Sequence, residues 1–468
     1  VFFIIILFIE EPMAKNGMLF VSSATKAHSV CQKASKYVQK MLYINVKQNQ
    51  PNILPVLSKQ IVELYTKVCV SIGTYFIIFI FYLKDVEELT DDREVKTYEH
   101  VALGGTFDRL HNGHKILLSE AILRATKHVT VGVTDVNMIQ SKKLWELIEP
   151  VEKRIAVVLD FLKDINPDLE YNVFPLQDLY GPTKDDPRFQ MIVVSEETHR
   201  GAIKINEKRV ENGLIPMDIH IISLAHDTHP QRTEEEELKV SSSNQRMRLL
   251  GTLLRPPVPN HNIPDWPYVI GLAGGIASGK SNIAEKLKIK GAGFVNCDVI
   301  AHELYKPGLP LNDTLVEAFG KHIRTKTGEI DRPILGKIVF SDKQLEKLNS
   351  LVWPEVIKEA QRQIHALGEK GHKVVVMEAA VMVRAKWYAF CHQLWSVIIP
   401  HDEAIKRLIK RNGLSEEEAK QRVEAHPSNQ EQVAFANIVF SPFWSYEYTQ
   451  GQVDRAWDHL QEYLSTRN

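Results

Sequence analysis

Two α/β domains, each a doubly wound parallel sheet, follow from three observations. From about residue 95, short apolar runs alternate with amphipathic segments of helical spacing. A proline-rich stretch at 256–267 interrupts that rhythm. The alternation then resumes and runs to the C-terminal end. Strand–helix alternation of this kind builds parallel sheets covered by helices on both faces. Residues 1–94 follow neither pattern and form a separate N-terminal segment.

In the first domain, 95–255, the apolar runs at 100–104, 128–134, 169–174, 190–194 and 218–223 read as strands. The stretches 115–125, 151–163 and 200–212 between them read as helices, and another helix opens near Ser243. The acidic run 234–237 reads as a solvated loop. Residues 256–267 read as a linker. In the second domain, 268–468, strands are expected at 268–273, 293–297, 373–377 and 394–399.

Composition narrows the function classes. The 468 residues carry 57 Lys+Arg and 58 Asp+Glu, a formal net charge of −1, which argues against a general polyanion binder and against nucleic acid as the partner. A hydrophobic share of 44% with 25% charged residues is that of a globular chain, not of a disordered or polytopic membrane protein. The four cysteines are far apart, which disfavours a disulfide scaffold or zinc ribbon and fits a reducing compartment.

The N-terminal segment is unlike the rest. Residues 12–62 contain seven lysines and no acidic residue. Apolar runs at 1–9 and 68–83 flank it; the second has 16 uncharged residues, short of the roughly 18–20 that span a bilayer as a helix. Its β-branched and aromatic content suits a buried strand, and membrane association is the alternative. The first residue is Val, so an incomplete start is expected, with Met13 as a candidate internal one. The acid-poor stretch faintly resembles a mitochondrial targeting region, although it lacks arginine. The expected location is the cytoplasm, the mitochondrion or both; the oligomeric state is left open.

The first chemical motif is Gly104-Gly105-Thr106-Phe107-Asp108 running into His111-Asn112-Gly113-His114, between a strand and a helix. Gly113 lets a phosphate approach the backbone. The helix N-terminus adds N–H donors, and two imidazoles can donate to phosphate oxygens as charge develops. Ser241-Ser242-Ser243 opens the last helix of this domain, with Arg246 one turn further in; hydroxyls there can cap the helix and bind an anion.

Residues 98–255 resemble the phosphopantetheine adenylyltransferases of eukaryotic type through GGTFDRLHNGH, VVSEETHRGA and KVSSSNQRMRLLGTLLRPP. The resemblance implies a Rossmann-like nucleotidyltransferase fold. It implies that His111 and His114 contact the ATP phosphates, with Gly104, Thr106 and Gly113 beside them. Ser243 and Arg246 would hold the leaving pyrophosphate, and Lys142 would face the acceptor phosphate. The acceptor, 4′-phosphopantetheine, attacks through a phosphate already largely dianionic at neutral pH, so the histidines act as donors and no general base is needed.

The second motif is Gly274-Gly275-Ile276-Ala277-Ser278-Gly279-Lys280-Ser281, GxxxxGK[ST] between an apolar strand and a helix. Its backbone N–H groups cradle phosphate, Lys280 bridges the β- and γ-oxygens, and Ser281 is the expected Mg²⁺ ligand. Asp298 is expected where the next strand ends, facing this loop. It reads either as a proton acceptor for a hydroxyl nucleophile or as a helix N-cap.

Residues 268 to about 460 resemble the dephospho-CoA kinases through GLAGGIASGKS, CDVIAHELYKPG, GEIDRPILGKIVF and IIPHDEAIKRLIKRNGLSEEEAKQR. The resemblance implies a P-loop kinase that uses ATP and Mg²⁺, with Asp298 as base for the ribose 3′-hydroxyl of dephospho-CoA. Arg407 and Arg411 fall on the helix leading to a lid. Ser415 and Glu418 read as a capping box, and Arg422 could close over the γ-phosphate. The chain departs from the family at Arg384-Ala385-Lys386, His426, Trp353-Pro354 and Val439-Phe440-Ser441. In this order the two halves resemble the bifunctional coenzyme A synthases, in which the product of the first site is the acceptor of the second. A nucleotidyltransferase–nucleoside kinase fusion of another cofactor pathway, or a nucleotide-binding scaffold, would use the same motifs.

Overall fold

The computed structural model describes residues 14–21, 38–46, 65, 76–80, 96–227, 229–230, 232–339 and 342–466. The chain divides into two units, Val1–Met247 and Arg248–Asn468.

In the N-terminal segment, β1 (Ala14–Val21), β2 (Val38–Val46) and β3 (Phe76–Ile80) form a parallel three-stranded sheet in the order β1-β2-β3. β3 falls in the second apolar run, where β-branched and aromatic residues favour extended backbone. The apolar run 1–9 lies outside the described residues, as does most of the stretch read as a targeting region. No helix among the described residues is long and apolar enough to cross a membrane.

The main sheet of the first unit contains β4 (Tyr98–Gly105), β5 (Ala125–Thr134), β6 (Glu170–Leu176), β7 (Met191–Ser195) and β8 (Asp218–Ile222), all parallel, in the order β6-β5-β4-β7-β8. Each coincides with an expected strand to within a few residues. The helices are α1 (Asn112–Arg124), α2 (Val151–Ile165), α3 (His199–Glu211) and α4 (Ser242–Leu249). One apolar cluster contains Val129, Val131, Ile116, Leu118, Val158 and Leu162, and a second contains Ile192, Val194, Ala202 and Ile205. Strand order reverses between β4 and β7, and an open sheet has its binding crevice at such a point, beyond the strands' C-terminal ends. The loop carrying the paired histidines leaves β4 there.

Arg154 of α2 locks that edge. It is 1% exposed. Its guanidinium donates to the carbonyls of Thr106 (2.7 Å), Thr134 (3.0 Å) and Glu149 (2.8 Å), so one side chain ties the ends of β4 and β5 to the start of α2. The acidic run is more ordered than expected for a solvated loop. Glu236 is buried, and the amide of Asn244 bonds the backbone of Glu237 and Lys239.

The second unit holds β9 (Tyr268–Gly274), β10 (Gly293–Asn296), β11 (Val374–Glu378), β12 (Gln393–Val397) and β13 (Ile438–Phe440), parallel, in the order β10-β11-β9-β12-β13. β13 is a three-residue strand that no sequence pattern marks. The helices that matter for the site are α5 (Lys280–Ile289), α6 (Cys297–Leu304), α7 (Asp342–Glu369), α8 (His401–Asn412), α9 (Glu416–Glu424) and α10 (Asn429–Phe435). Order reverses between β9 and β12, again where the phosphate motif leaves the first strand.

The unit boundary falls after Met247, earlier than the expected boundary at 255. The reason is backbone pairing. Gly251 donates to Val439 O (2.9 Å), Leu254 to Asn437 O (2.7 Å), and Leu253 forms an antiparallel bridge with Ile438. The proline-rich stretch is attached as well: Asn260 donates to the carbonyls of Ala389 (2.8 Å) and Cys391 (3.2 Å), and Asn437 to that of Arg255 (3.2 Å).

Replacing Arg154 by Met would strand three inward-facing carbonyls, at about 1–3 kcal/mol each for charge-assisted bonds of this type. Arg154→Met is therefore expected to destabilise the first unit by roughly 3 kcal/mol or more. Hydrogen exchange should show the loss in peptides of β4, β5 and α2, and none in the second unit.

Candidate active sites

The first site is organised around Asp108, which is fully buried at 0% exposure. Its carboxylate accepts from Arg246 NH1 (2.7 Å), the Glu149 backbone N–H (3.0 Å) and Arg109 NH1 (3.0 Å). Arg246 is 1% exposed and also donates to Lys143 O (2.9 Å) and Ser243 Oγ (3.4 Å). The expected anion-binding arginine is thus committed to an internal ion pair that fixes α4 against the β4–α1 loop.

His111 precedes α1, and its ring stacks on that of His114, with centroids 3.7 Å apart. The backbone N–H of His111 donates to His114 Nδ1 at 3.4 Å. His111 Nε2 lies 3.4 Å from Ser242 Oγ, which donates to Asp108 O at 3.0 Å. Ser242 thus meets the histidine, while Ser243 Oγ lies by Arg246. Gly113 has a second use beyond admitting phosphate: a Cβ there would sit 3.2 Å from His111 Cε1 and press on the stacked ring.

Burial lowers the pKa of both imidazoles. It brings His111 down to about 4 against the opposing pull of Asp108, and it holds His114 well below the ordinary imidazole range with help from His111 and Lys142. Both rings are neutral at pH 7 and can each present one N–H. Lys142 is exposed yet close enough to act on His114, and its own pKa is lowered by burial of its stem and by Arg246. Thr106 Oγ1 is 3.2 Å from Thr134 Oγ1, at the C-terminal edge of β4 beside Gly104. The site therefore brings together Gly104, Thr106, His111, Gly113, His114, Lys142, Ser243 and Arg246. Asp108, Ser242 and Arg154 were missed. Asp108 stood inside the quoted motif, and a buried arginine partner was its available signal.

In the second site the phosphate loop curls over the end of β9. Lys280 Nζ donates to the carbonyls of Gly274 (2.8 Å) and Gly275 (3.1 Å). Ala277 has φ 58° and Gly279 φ 94°, and a Cβ on Gly279 would come 2.8 Å from Pro442 Cγ. Ser278 is 3% exposed, with a hydroxyl that has no hydrogen-bond partner among the described residues. An unsatisfied buried hydroxyl inside a ring of backbone donors fits a phosphate oxygen.

Ser281 Oγ donates to Glu378 Oε1 at 3.3 Å, and Asn296 Nδ2 to Glu378 Oε2 at 3.3 Å. Glu378 ends β11 beside the loop and is 4% exposed. Burial raises its pKa, while Lys280 and Ser281 pull it down. Sequence reading had stopped that strand one residue short at Met377. A carboxylate and a hydroxyl at this spacing form an oxygen set suited to a hard cation.

Asp298 is exposed in the first turn of α6, two residues beyond β10. It is not the N-cap, because Asn296 caps α6 by accepting from Val299 N at 2.9 Å. Its charge acts on Lys280, Glu378 and His426, so it faces the phosphate loop. His426 has its pKa lowered by burial and then by Lys280, with Arg384 also in reach, so two of the departures from the family pattern face this site. Cys297, just before Asp298, is buried, and its thiol is pushed up to about 12 by burial, Asp298 and Glu378.

Arg407 on α8 donates to Glu403 Oε1 (2.7 Å) and Pro442 O (2.8 Å), and NH1 stands over Gly279. Arg411 reaches Lys280 by its charge. Arg422 is exposed on α9 beside Glu418. The expected capping box is present, Ser415 and Glu418 bonding reciprocally, and a second one, Ser428 with Glu431, opens α10.

Comparison with known proteins matches this geometry. A family model described as dephospho-CoA kinase covers residues 268–442, and one described as cytidylyltransferase-like covers 102–248. A protein named dephospho-CoA kinase from Carboxydothermus hydrogenoformans is 39% identical over 40% of this chain and 90% of its own length. The chain belongs to the dephospho-CoA kinase family. A protein named phosphopantetheine adenylyltransferase from Saccharomyces cerevisiae is 36% identical over 38% of this chain; the match spans 57% of that relative's length. The crystal structure of TT1252 from Thermus thermophilus aligns at 28% identity over 42% of this chain and 98% of its own, with a TM-score of 0.37.

Two consequences are measurable. Asp108→Ala leaves Arg246 buried without its partner and is expected to cost about 3–5 kcal/mol; the double variant Asp108→Ala/Arg246→Met should cost less than the sum of the two single changes. Denaturant titrations read by hydrogen exchange in the first unit would check this. Because the folded pKa of His111 lies below its unfolded value near 6.5, the unfolded chain takes up the proton first. Stability of the first unit should fall between about pH 6.5 and 4, by on the order of 1–2 kcal/mol at pH 5. His111→Gln should remove that part of the pH dependence.

Proposed function

We propose that the chain carries out the last two steps of coenzyme A synthesis, as the bifunctional coenzyme A synthases do. The first unit transfers an adenylyl group from ATP to 4′-phosphopantetheine, giving dephospho-CoA and pyrophosphate. The second phosphorylates the ribose 3′-hydroxyl of dephospho-CoA with ATP, giving coenzyme A and ADP. The observation that carries this reading is the pairing, in one chain, of two phosphate loops at sheet crossing points, in halves similar to relatives named for these two activities.

At the first site an acceptor phosphate oxygen attacks the α-phosphorus of ATP while the bond to the pyrophosphate oxygen breaks. Neutral His111 and His114 donate N–H groups to the oxygens gaining charge, and α1 presents its free backbone N–H groups to the same anion. Arg246 acts mainly by holding Asp108 and α4 in place, leaving Lys142 and Ser243 to meet the anionic groups.

At the second site Asp298 takes the hydroxyl proton as the oxygen–phosphorus bond forms. Lys280 exchanges the loop carbonyls for phosphate oxygens, and Ser278 offers its hydroxyl to the same group. Arg407 and Arg411 line the nucleotide side. Ser281 and Glu378 would hold Mg²⁺, which when bound neutralises charge on the transferring phosphoryl group. A nucleotidyltransferase with a different acceptor would use the same first-site residues, so acceptor choice is what the experiment must decide.

Mass spectrometry of the purified chain with ATP, Mg²⁺ and 4′-phosphopantetheine should show dephospho-CoA and then coenzyme A. His114→Ala is expected to lower the first product at least a hundredfold while supplied dephospho-CoA is still phosphorylated. Lys280→Ala should accumulate dephospho-CoA. Adenylylation of nicotinamide mononucleotide in place of 4′-phosphopantetheine would overturn the reading.

A further inference from the structure

Among the described residues of the first 95, Tyr65 is the one whose side chain is placed, and it stands in the core of the first unit at 0% exposure. It belongs to the apolar cluster containing Ile116 and Leu117 of α1. Its backbone carbonyl accepts from Asn112 Nδ2 at 2.9 Å. Lys115, itself 5% exposed, holds its ammonium 5.8 Å from the centroid of the Tyr65 ring. Asn112 lies between His111 and Gly113, and Lys115 follows the second histidine. One residue, 47 positions upstream of Asn112, therefore grips both ends of the catalytic turn. The family model for this unit begins at residue 102 and does not include it.

We infer that Tyr65 is a positioning residue for adenylyl transfer: it completes the first site by anchoring Asn112 and Lys115 so that the stacked histidines keep their register against the phosphates. The inference rests on the adenylyltransferase reading of this unit. The warrant is geometric. Asn112 is bonded to the carbonyl of a buried residue, and a buried aromatic ring fills volume that a smaller side chain leaves open. Displacement of a phosphate-binding group by about 1 Å costs on the order of a hundredfold in rate. The Tyr65 carbonyl stays with any side chain, but its position depends on the ring packed in the cluster with Ile116 and Leu117.

The test uses the full chain, as wild type, Tyr65→Ala and Tyr65→Phe, with ATP and 4′-phosphopantetheine for the first step and supplied dephospho-CoA for the second. The expected result for Tyr65→Ala is a kcat for dephospho-CoA formation lowered on the order of tenfold to a hundredfold, with KM for 4′-phosphopantetheine within about twofold. The second step should be unchanged, and Tyr65→Phe should restore the first. Hydrogen exchange should show lost protection in the first turns of α1 while β4 and β5 stay protected. A folded Tyr65→Ala chain with wild-type kcat overturns the inference, as does a Tyr65→Phe chain as impaired as Tyr65→Ala. If Tyr65→Ala unfolds the first unit, Asn112→Ala decides: a similar loss of kcat supports the anchor and a wild-type kcat refutes it. If the wild type adenylylates no 4′-phosphopantetheine, the functional reading fails, and exchange in α1 alone decides whether Tyr65 anchors the turn.

Discussion

A carboxylate with no access to water holds the first active site together. Burying a carboxylate costs free energy that only close partners offset, and Asp108 has a guanidinium, a backbone N–H and a second arginine around it. Those partners come from α4, from the start of α2 and from the residue next to it. A single buried charge thus obliges three stretches of chain, far apart in sequence, to meet where β4 ends. The positions of the paired histidines and of the serines of α4 follow from that meeting. Arg154 does comparable work on uncharged partners, holding the strand ends whose carbonyls would otherwise face an apolar core.

The two units solve one geometric problem with different chemistry. In both, the first strand of a parallel sheet delivers a glycine-containing loop to the point where strand order reverses, and a helix begins there. The nucleophiles differ. On the proposed reading a phosphate acceptor arrives ionised and needs only donors, the part given to the neutral histidines. A hydroxyl acceptor must lose a proton, the part given to Asp298, which lies within electrostatic reach of Lys280. Burial raises the pKa of Glu378, and Lys280 and Ser281 oppose that rise, so loop and carboxylate attract each other.

Most of the fold was legible in the sequence because parallel strands buried on both faces leave continuous apolar runs. All five strands of the first sheet and four of the second stood out for that reason. β13 did not, since three residues are too few to establish a period. The compact units divide ahead of the expected boundary at 255 because Gly251 and Leu254, just before the proline-rich stretch, pair along their backbone with Val439 and Asn437, a pairing that nothing local in the sequence marks. The phosphate motifs were legible because their glycines and cations are local in sequence. Partners that meet only in space were not: Asp108 with Arg246, Ser281 with Glu378, and Tyr65 with Asn112 are separated by 138, 97 and 47 positions. Arg246 shows the limit most clearly, since a motif names the residue but does not say whether its charge faces a ligand or the interior.

Cys297 stands one position from the residue read as the proton acceptor, and its thiol is held protonated well above the range in which thiols ionise at neutral pH. Cys391, buried in the same apolar cluster, is raised further in the same direction. 4′-Phosphopantetheine, dephospho-CoA and coenzyme A each end in a free thiol. Mixed disulfides form through a thiolate and need access to it. By keeping these two sulfurs dry and protonated, the second unit offers no thiolate to exchange with a thiol-bearing substrate.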